Sequence, residues 1–256
     1  MPRPKQIFLS FDIEEFDVPL EYGHPIDMDE QFRVSKIGLD AILDLLDRLG
    51  IRATFFITAH FAQHHPASIA RITQTHEVAS HGFYHSQFDV ADLGKSRQVL
   101  QQLSGQTVLG FRMARLQPVS EEAIAQAGYR YNSSLNPTWL PGRYNHLTKP
   151  RKPTWSGTVL TIPVSVTPLI RFPLFWLSFK NLPLGLYKLL SAWTLGCDRA
   201  LNLYFHPWEF APIQHYGLPG YLSRHGGAEM VERLEDYLIW LNKKAVFATF
   251  NTMIDV

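Results

Sequence analysis

Cysteine is almost absent. Cys197 is the sole one in 256 residues, so no disulfide can form within the chain and stability must come from a buried core. That usage fits a reducing compartment. An excess of one charge is missing too: 24 Lys and Arg stand against 23 Asp and Glu, a formal net charge of +1. No basic stripe stands out, which argues against a nucleic-acid partner. Long hydrophobic runs are also lacking at the start. After the basic residues of MPRPKQIFLSFD the apolar stretch is only about five residues, shorter than a secretory signal needs. The expected location is therefore the cytoplasm.

What is present is a globular composition. Apolar residues make up 46% of the chain, enough at this length for one α/β unit with a sizeable core. Short apolar runs alternate with helical patterns. Strands are predicted at residues 7–11, 53–57, 77–80, 107–111, 158–164, 201–205 and 245–250. Helices are predicted at 37–49, stopped by Gly50, in a short segment opened by Pro66, and at 91–103, 119–127 and 228–241. This alternation means parallel strands with helical crossovers. No repeat, low-complexity tract or linker divides the chain, so one domain over residues 1–256 is expected.

Polar groups of catalytic type fall at or just beyond several predicted strand ends, where parallel α/β folds gather ligands. Asp12 and Glu14 follow the first strand, and alternation along an extended segment puts both carboxylates on one face. One could bind a metal while the other takes a proton from water. Glu15 and Asp17 lie close by, so spacing alone does not choose the ligand. His81 and His85 stand four apart in SHGFYH, a spacing that on a helical turn places both rings on one side. Two histidines and a carboxylate make a hydrolytic zinc set with a position left for water. Taken alone, such a pair is more often an ordinary surface feature. Arg112 follows Gly110-Phe111, and if buried it could hold a carboxylate in place. His206, in LNLYFHPWEF, could protonate a departing amine. Trp208 reads equally as a sugar-stacking wall or as plain packing.

Taken in order, these segments resemble the polysaccharide deacetylase family, the NodB-homology or carbohydrate esterase family 4 domain. SFDIEEF is similar to its first motif, ATFFI to its second strand, and SHGFYH to its paired-histidine motif. GFRMAR resembles the arginine motif, YNSSLNP the fourth, and LYFHPWEF the last. The bacterial subgroup of exopolysaccharide and cell-envelope biosynthesis looks nearest. The resemblance implies an α/β fold, a distorted (β/α) barrel with about seven parallel strands. It implies hydrolysis of an N-acetyl group from an amino sugar in a glycan or lipid-linked precursor, with a divalent metal, zinc by default. In that scheme Asp12 is the general base. Ile13 stands where the family's common form has its metal-ligand aspartate, so the variant with one residue between the acids fits better and makes Glu14 the ligand. His81 and His85 are the metal histidines, Arg112 orients the base, and His206 is the general acid. Three departures stand out: Ala114 where a proline is usual, Asn132 where an aspartate is usual, and Glu14 in place of the commoner aspartate.

Residues 164–195 form a hydrophobic stretch broken by Pro168, Pro173, Pro183, Arg171 and Lys180, so it is not a membrane span. It reads either as a long loop plus a core helix or as an interfacial patch touching a bilayer that carries a lipid-linked saccharide. Rival functions are a hydrolase of a small non-sugar amide or formamide, a glycan-binding protein that has lost catalysis, and, more weakly, a non-haem iron oxygenase. The strand–helix alternation argues against the last.

Overall fold

The computed structural model describes residues 4–254. In chain order the elements are β1 (Gln6–Ile13), α1 (Val18–Glu21), α2 (Met28–Leu49), β2 (Thr54–Ile57), α3 (Ala59–His64), α4 (Pro66–Ile72), β3 (Glu77–Ser80), α5 (Asp92–Ser104), β4 (Gly110–Phe111), α6 (Glu121–Gln126) and β5 (Tyr131–Asn132). They continue with β6 (Trp139–Leu140), β7 (Tyr144–Asn145), β8 (Thr154–Ser156), β9 (Val159–Thr161), α7 (Trp176–Asn181), α8 (Leu184–Asp198), β10 (Ala200–Phe205), α9 (Gly220–Ser223), α10 (Ala228–Asn242) and β11 (Val246–Ala248).

The main sheet runs β10-β1-β2-β3-β4-β5-β9-β8. Every pairing from β10 to β9 is parallel, and β8 returns antiparallel at the edge. The expected distorted (β/α) barrel is therefore present as a curled, open sheet. β1 changes neighbours midway: Gln6–Phe8 pair with β11, and Ser10–Ile13 pair with β2. On the far side β10 is joined to the segment after β9 by hydrogen bonds outside the strand ladder. The Ser165 N–H donates to the Asn202 carbonyl at 3.0 Å, and the Asn202 N–H donates to Ser165 Oγ at 2.8 Å.

Register matters most for function. Ile13, Ile57, Ser80, Phe111 and Asn132 form one continuous row across five strands, and Phe11 lies beside Phe205. The residues one step beyond that row, or beyond Phe205, are Glu14, Thr58, His81, Arg112, Ser133 and His206. Parallel pairing thus collects side chains far apart in sequence on one rim.

The floor of the sheet is aromatic. Phe250 lies within 5.5–5.7 Å, centroid to centroid, of Phe8, Phe56 and Tyr131. Beneath them the buried Glu77 carboxylate accepts from Thr54 Oγ1 at 2.7 Å, Tyr131 Oη at 2.9 Å and the Asn251 N–H at 3.2 Å. These bonds pin the C-terminal turn under the sheet.

α2 carries the main outer packing face. Asp27 caps its start by accepting from the Glu30 N–H at 2.8 Å, and Gly50 ends it at φ +62°. Its real start is nine residues before the predicted 37, because 28–36 (MDEQFRVSK) are mostly polar and hide the period. Gly38 on this helix is a contact point: a Cβ there would lie 1.7 Å from the Pro207 carbonyl oxygen. The helix therefore presses backbone to backbone on the turn that follows His206.

Several predicted strands shrink. Residues 107–111 yield strand only at β4, 158–164 only at β9, and 245–250 only at β11 before a 3-10 turn. The hydrophobic stretch 164–195 contains α7 and most of α8, which buries Tyr187, Ser191, Thr194 and Leu195 and packs against β10. Among the described residues no helix is long and apolar enough to cross a membrane.

Candidate metal and hydrolytic site

Asp12 and Glu14 both point inward, as alternation along the strand requires, and are only 2% exposed. Their neighbours separate them. Asp12 Oδ1 accepts from Arg112 Nη1 at 2.5 Å. Arg112 is wholly buried and has several further anchors. It donates to Ser10 Oγ at 2.9 Å, to the Ser133 carbonyl at 3.0 Å and to Ser133 Oγ at 3.0 Å, and its guanidinium lies 4.0 Å from the Phe56 ring centre. Asp12 is its one carboxylate partner among the described residues, so the pair is charge-matched inside an otherwise neutral cradle.

Glu14 faces the histidines. Its Oε2 lies 3.2 Å from His81 Nε2 and 3.1 Å from His85 Nε2. Its Oε1 accepts from Trp208 Nε1 at 3.0 Å. The three ligand-type atoms lie within 4.8 Å of one another and all three residues are buried. Spacings of 3.1–3.2 Å match the edge, roughly 3.3 Å, of a tetrahedron of ligands about 2 Å from a central ion. The other ring nitrogens are occupied. His81 Nδ1 is 2.9 Å from the Arg112 carbonyl, and His85 Nδ1 is 2.9 Å from Asp17 Oδ1. Such outer contacts fix the tautomer that leaves Nε2 free to bind metal. The cluster can coordinate a divalent metal.

One expectation about this pair is corrected. His81 and His85 do not sit on a helical turn: residues 81–86 are irregular, with Gly82 at φ +87°. Their rings converge because His81 extends β3 and the loop folds back, bringing the ring centroids to 6.0 Å. Contacts also separate the acids of SFDIEEFD. Glu15 turns to His60 Nδ1 at 2.6 Å, and Asp17 supports His85 while receiving Arg115 Nη2 at 3.1 Å, which leaves Glu14.

His206 follows β10. Its N–H donates to Glu209 Oε1 at 2.8 Å, and its Nδ1 lies 3.2 Å from the same oxygen. The ring stacks on Trp208 at 5.1 Å and meets Trp176 edge-on at 5.1 Å. Glu209 Oε2 faces Lys180 Nζ at 3.6 Å, and both residues are completely buried. Glu209 and Asp17 are supports that the sequence reading above does not contain. The i,i+3 spacing of His206 and Glu209, that of a capping box, is the signal that could have found Glu209. No local pattern distinguishes Asp17.

The electrostatics follow from this crowding. Burial alone would raise the Glu14 carboxyl, but His85, His206 and His81 outweigh it and hold it well below the usual range. Burial works against charge on His85 too, yet Glu14 and Asp17 raise it to about 9. His206 is likewise raised, burial being overcome by Glu14 and Glu209. Lys180 is lowered because burial outweighs Glu209.

Asp12, Glu14, His81, His85 and His206 line one cavity of about 290 Å³. Arg112 lies behind Asp12. Of the three motif departures, Glu14 belongs to the cluster itself, and Asn132 shares no hydrogen bond with Arg112 among the described residues. Its Oδ1 accepts from the Ser134 N–H at 3.1 Å and so shapes the turn whose Ser133 holds the arginine. Ala114 is buried at the start of a short turn whose next residue, Arg115, takes φ +54° and reaches Glu21, Asp17 and the His85 carbonyl.

The rim and its Glu-His-His cluster form a deacetylase-type arrangement able to hold a metal. The polysaccharide deacetylase family profile matches residues 2–132, half of the chain. The chain belongs to the polysaccharide deacetylase family. A search of curated proteins returned no match. Among solved structures, one named for a polysaccharide deacetylase of Mycobacterium smegmatis is 18% identical with a TM-score of 0.70, over 100% of this chain and 91% of that one. The Puue allantoinase is 15% identical with a TM-score of 0.68, over 98% and 89%. A carbohydrate esterase family 4 pseudoenzyme of Bacillus anthracis is 11% identical with a TM-score of 0.54, over 99% and 66%. At these identities the likeness is one of fold.

Proposed function

We propose that this protein hydrolyses the N-acetyl group of an amino sugar in a glycan or glycan precursor, releasing acetate. The observation that carries the reading is the division of labour on one rim: Asp12 is bound to Arg112 and kept apart from the Glu14–His81–His85 cluster, and His206 lines the same cavity. Glu14, His81 and His85 would hold a divalent ion, zinc by preference of that donor set, which would supply Lewis acidity toward the amide carbonyl. Asp12, fixed by Arg112, accepts the proton of the attacking water. His206, held by Glu209, returns a proton to the leaving nitrogen, and C–N cleavage leaves acetate and a free amine. Trp176, Tyr144, Tyr22 and Tyr221 also line the cavity, an aromatic lining of the kind that suits sugar rings, which favours a saccharide over a compact amide.

The test is metal content together with acetate release from a panel of N-acetylated sugars and oligomers. Native protein is expected to hold one metal per chain and release acetate; His81→Ala with His85→Ala is expected to do neither. Asp17→Asn, which removes the charge behind His85, should weaken metal binding roughly 10–100-fold in a chelator competition. Metal without acetate, but with hydrolysis of small cyclic amides or formamides, would replace the saccharide reading. Failure to bind metal after reconstitution would remove the mechanism.

A further inference from the structure

A second concavity opens beside the catalytic cavity. It is a groove of about 750 Å³ lined on its outer part by Trp139, Leu147, Ile170 and Phe172. Leu140, Phe175, Leu177 and Tyr221 belong to the walls of both. The two concavities therefore adjoin, the first holding the Glu14–His81–His85 cluster and the second apolar.

The walls are built. One is the β6–β7 hairpin, the other the segment after β9, and they are tied together. Thr138 Oγ1 donates to the Arg171 carbonyl at 2.7 Å, while Arg171 donates to the Lys149 carbonyl at 2.7 Å and the Pro137 carbonyl at 3.2 Å. The second wall takes an unfavourable backbone. Leu169 has φ +64° and Arg171 φ +54°, a region that non-glycine residues seldom adopt. The apolar lining of the groove stays exposed: Ile170 is 68% accessible, Trp139 58% and Leu147 41%. Contiguous apolar surface kept exposed at a conformational cost marks a ligand surface.

We infer that this groove receives an apolar aglycone chain of the substrate, so that the enzyme acts on an amphiphilic glycoside whose sugar lies at the metal cluster and whose alkyl or prenyl tail lies along Trp139, Leu147 and Ile170. The inference rests on the saccharide-hydrolase reading of the cavity. Adjacency argues for the occupant: a molecule in the catalytic cavity that extends past the shared residues Leu140, Phe175, Leu177 and Tyr221 meets apolar walls, where apolar groups gain by burial.

The experiment uses zinc-loaded protein and the methyl, butyl and octyl β-glycosides of N-acetylglucosamine, below micelle-forming concentrations. Dissociation constants are measured by calorimetry on Asp12→Asn protein, and kcat/KM on native protein. Affinity is expected to rise about threefold per methylene over the buried part of the chain, and roughly tenfold or more from methyl to octyl. Ile170→Glu and Leu147→Asp, both at exposed positions away from the catalytic cavity, should abolish that gain and leave kcat/KM for the methyl glycoside unchanged. Affinity independent of chain length overturns the inference even if acetate is released. Chain-dependent affinity without acetate from any glycoside supports the groove and removes the hydrolase reading. Binding to phosphatidylcholine–phosphatidylglycerol vesicles, or self-association weakened by Ile170→Glu, with no chain-length effect, makes the groove a docking face for another surface and likewise overturns the inference.

Discussion

Arg112 and Asp12 are one hundred positions apart and meet at 2.5 Å, with neither exposed to solvent by more than 2%. The strand register brings them together, and burial makes each dependent on the other. Arg112→Met leaves the Asp12 charge buried and unpaired and is expected to destabilise the fold by about 3–5 kcal/mol. Arg112→Lys keeps the charge but loses the fork to Ser133, so its cost should be smaller while turnover still falls. Urea denaturation of the two variants, with kcat measured on the folded fraction, separates the structural from the catalytic share.

Glu209 holds His206 at two points and contributes to its raised pKa. In its proposed role as general acid His206 must be protonated, so activity is expected to fall as pH rises through that pKa. Glu209→Gln keeps an acceptor for the His206 N–H but removes the negative charge. The alkaline limb of the kcat–pH profile should therefore move to lower pH, with metal content unchanged. A limb that stays in place assigns it to another group.

Gly38→Ala tests how closely α2 supports the turn after His206. The new methyl would meet the Pro207 carbonyl at 1.7 Å, so helix or turn must shift. The expected loss is about 1–3 kcal/mol, with reduced kcat because His206 adjoins Pro207. Gly94→Ala on α5 is the control, since nothing lies within 4 Å of its added Cβ. It should gain about 0.5–1 kcal/mol from helix propensity. Both values come from thermal or urea melts.

His76 gives the fold an acid-sensitive element away from the site. It is 5% exposed, its Nδ1 accepts from the Ala53 N–H at 3.3 Å, and burial lowers its pKa from 6.5 to about 4. The unfolded chain binds more protons between these values, so stability rises with pH across that window and is lost as pH falls toward 4. The full effect is about 3 kcal/mol. His76→Asn retains an acceptor without titrating. Its unfolding free energy should fall less steeply than that of the native protein between pH 7 and 4.5.

Strand–helix alternation and the order of polar motifs at strand ends determined the α/β class, and through the family resemblance the barrel topology, because apolar period and chain order are local properties. β3 lies where the sequence placed it, and β1, β10 and α10 enclose or nearly coincide with their predicted spans. Short strands such as β5, and the polar start of α2, carry too little local pattern to be seen. The residue types of the site were legible, since carboxylate, paired imidazoles and arginine are chemically distinctive. Their partners were not. Only tertiary structure decided that Glu15 goes to His60 and Asp17 to His85, leaving Glu14 beside both imidazoles, because four acids within six positions are equivalent until packing assigns each a neighbour. Only tertiary structure joined the hairpin at Trp139 to the segment at Ile170, since a groove between distant segments exists in no local stretch of sequence.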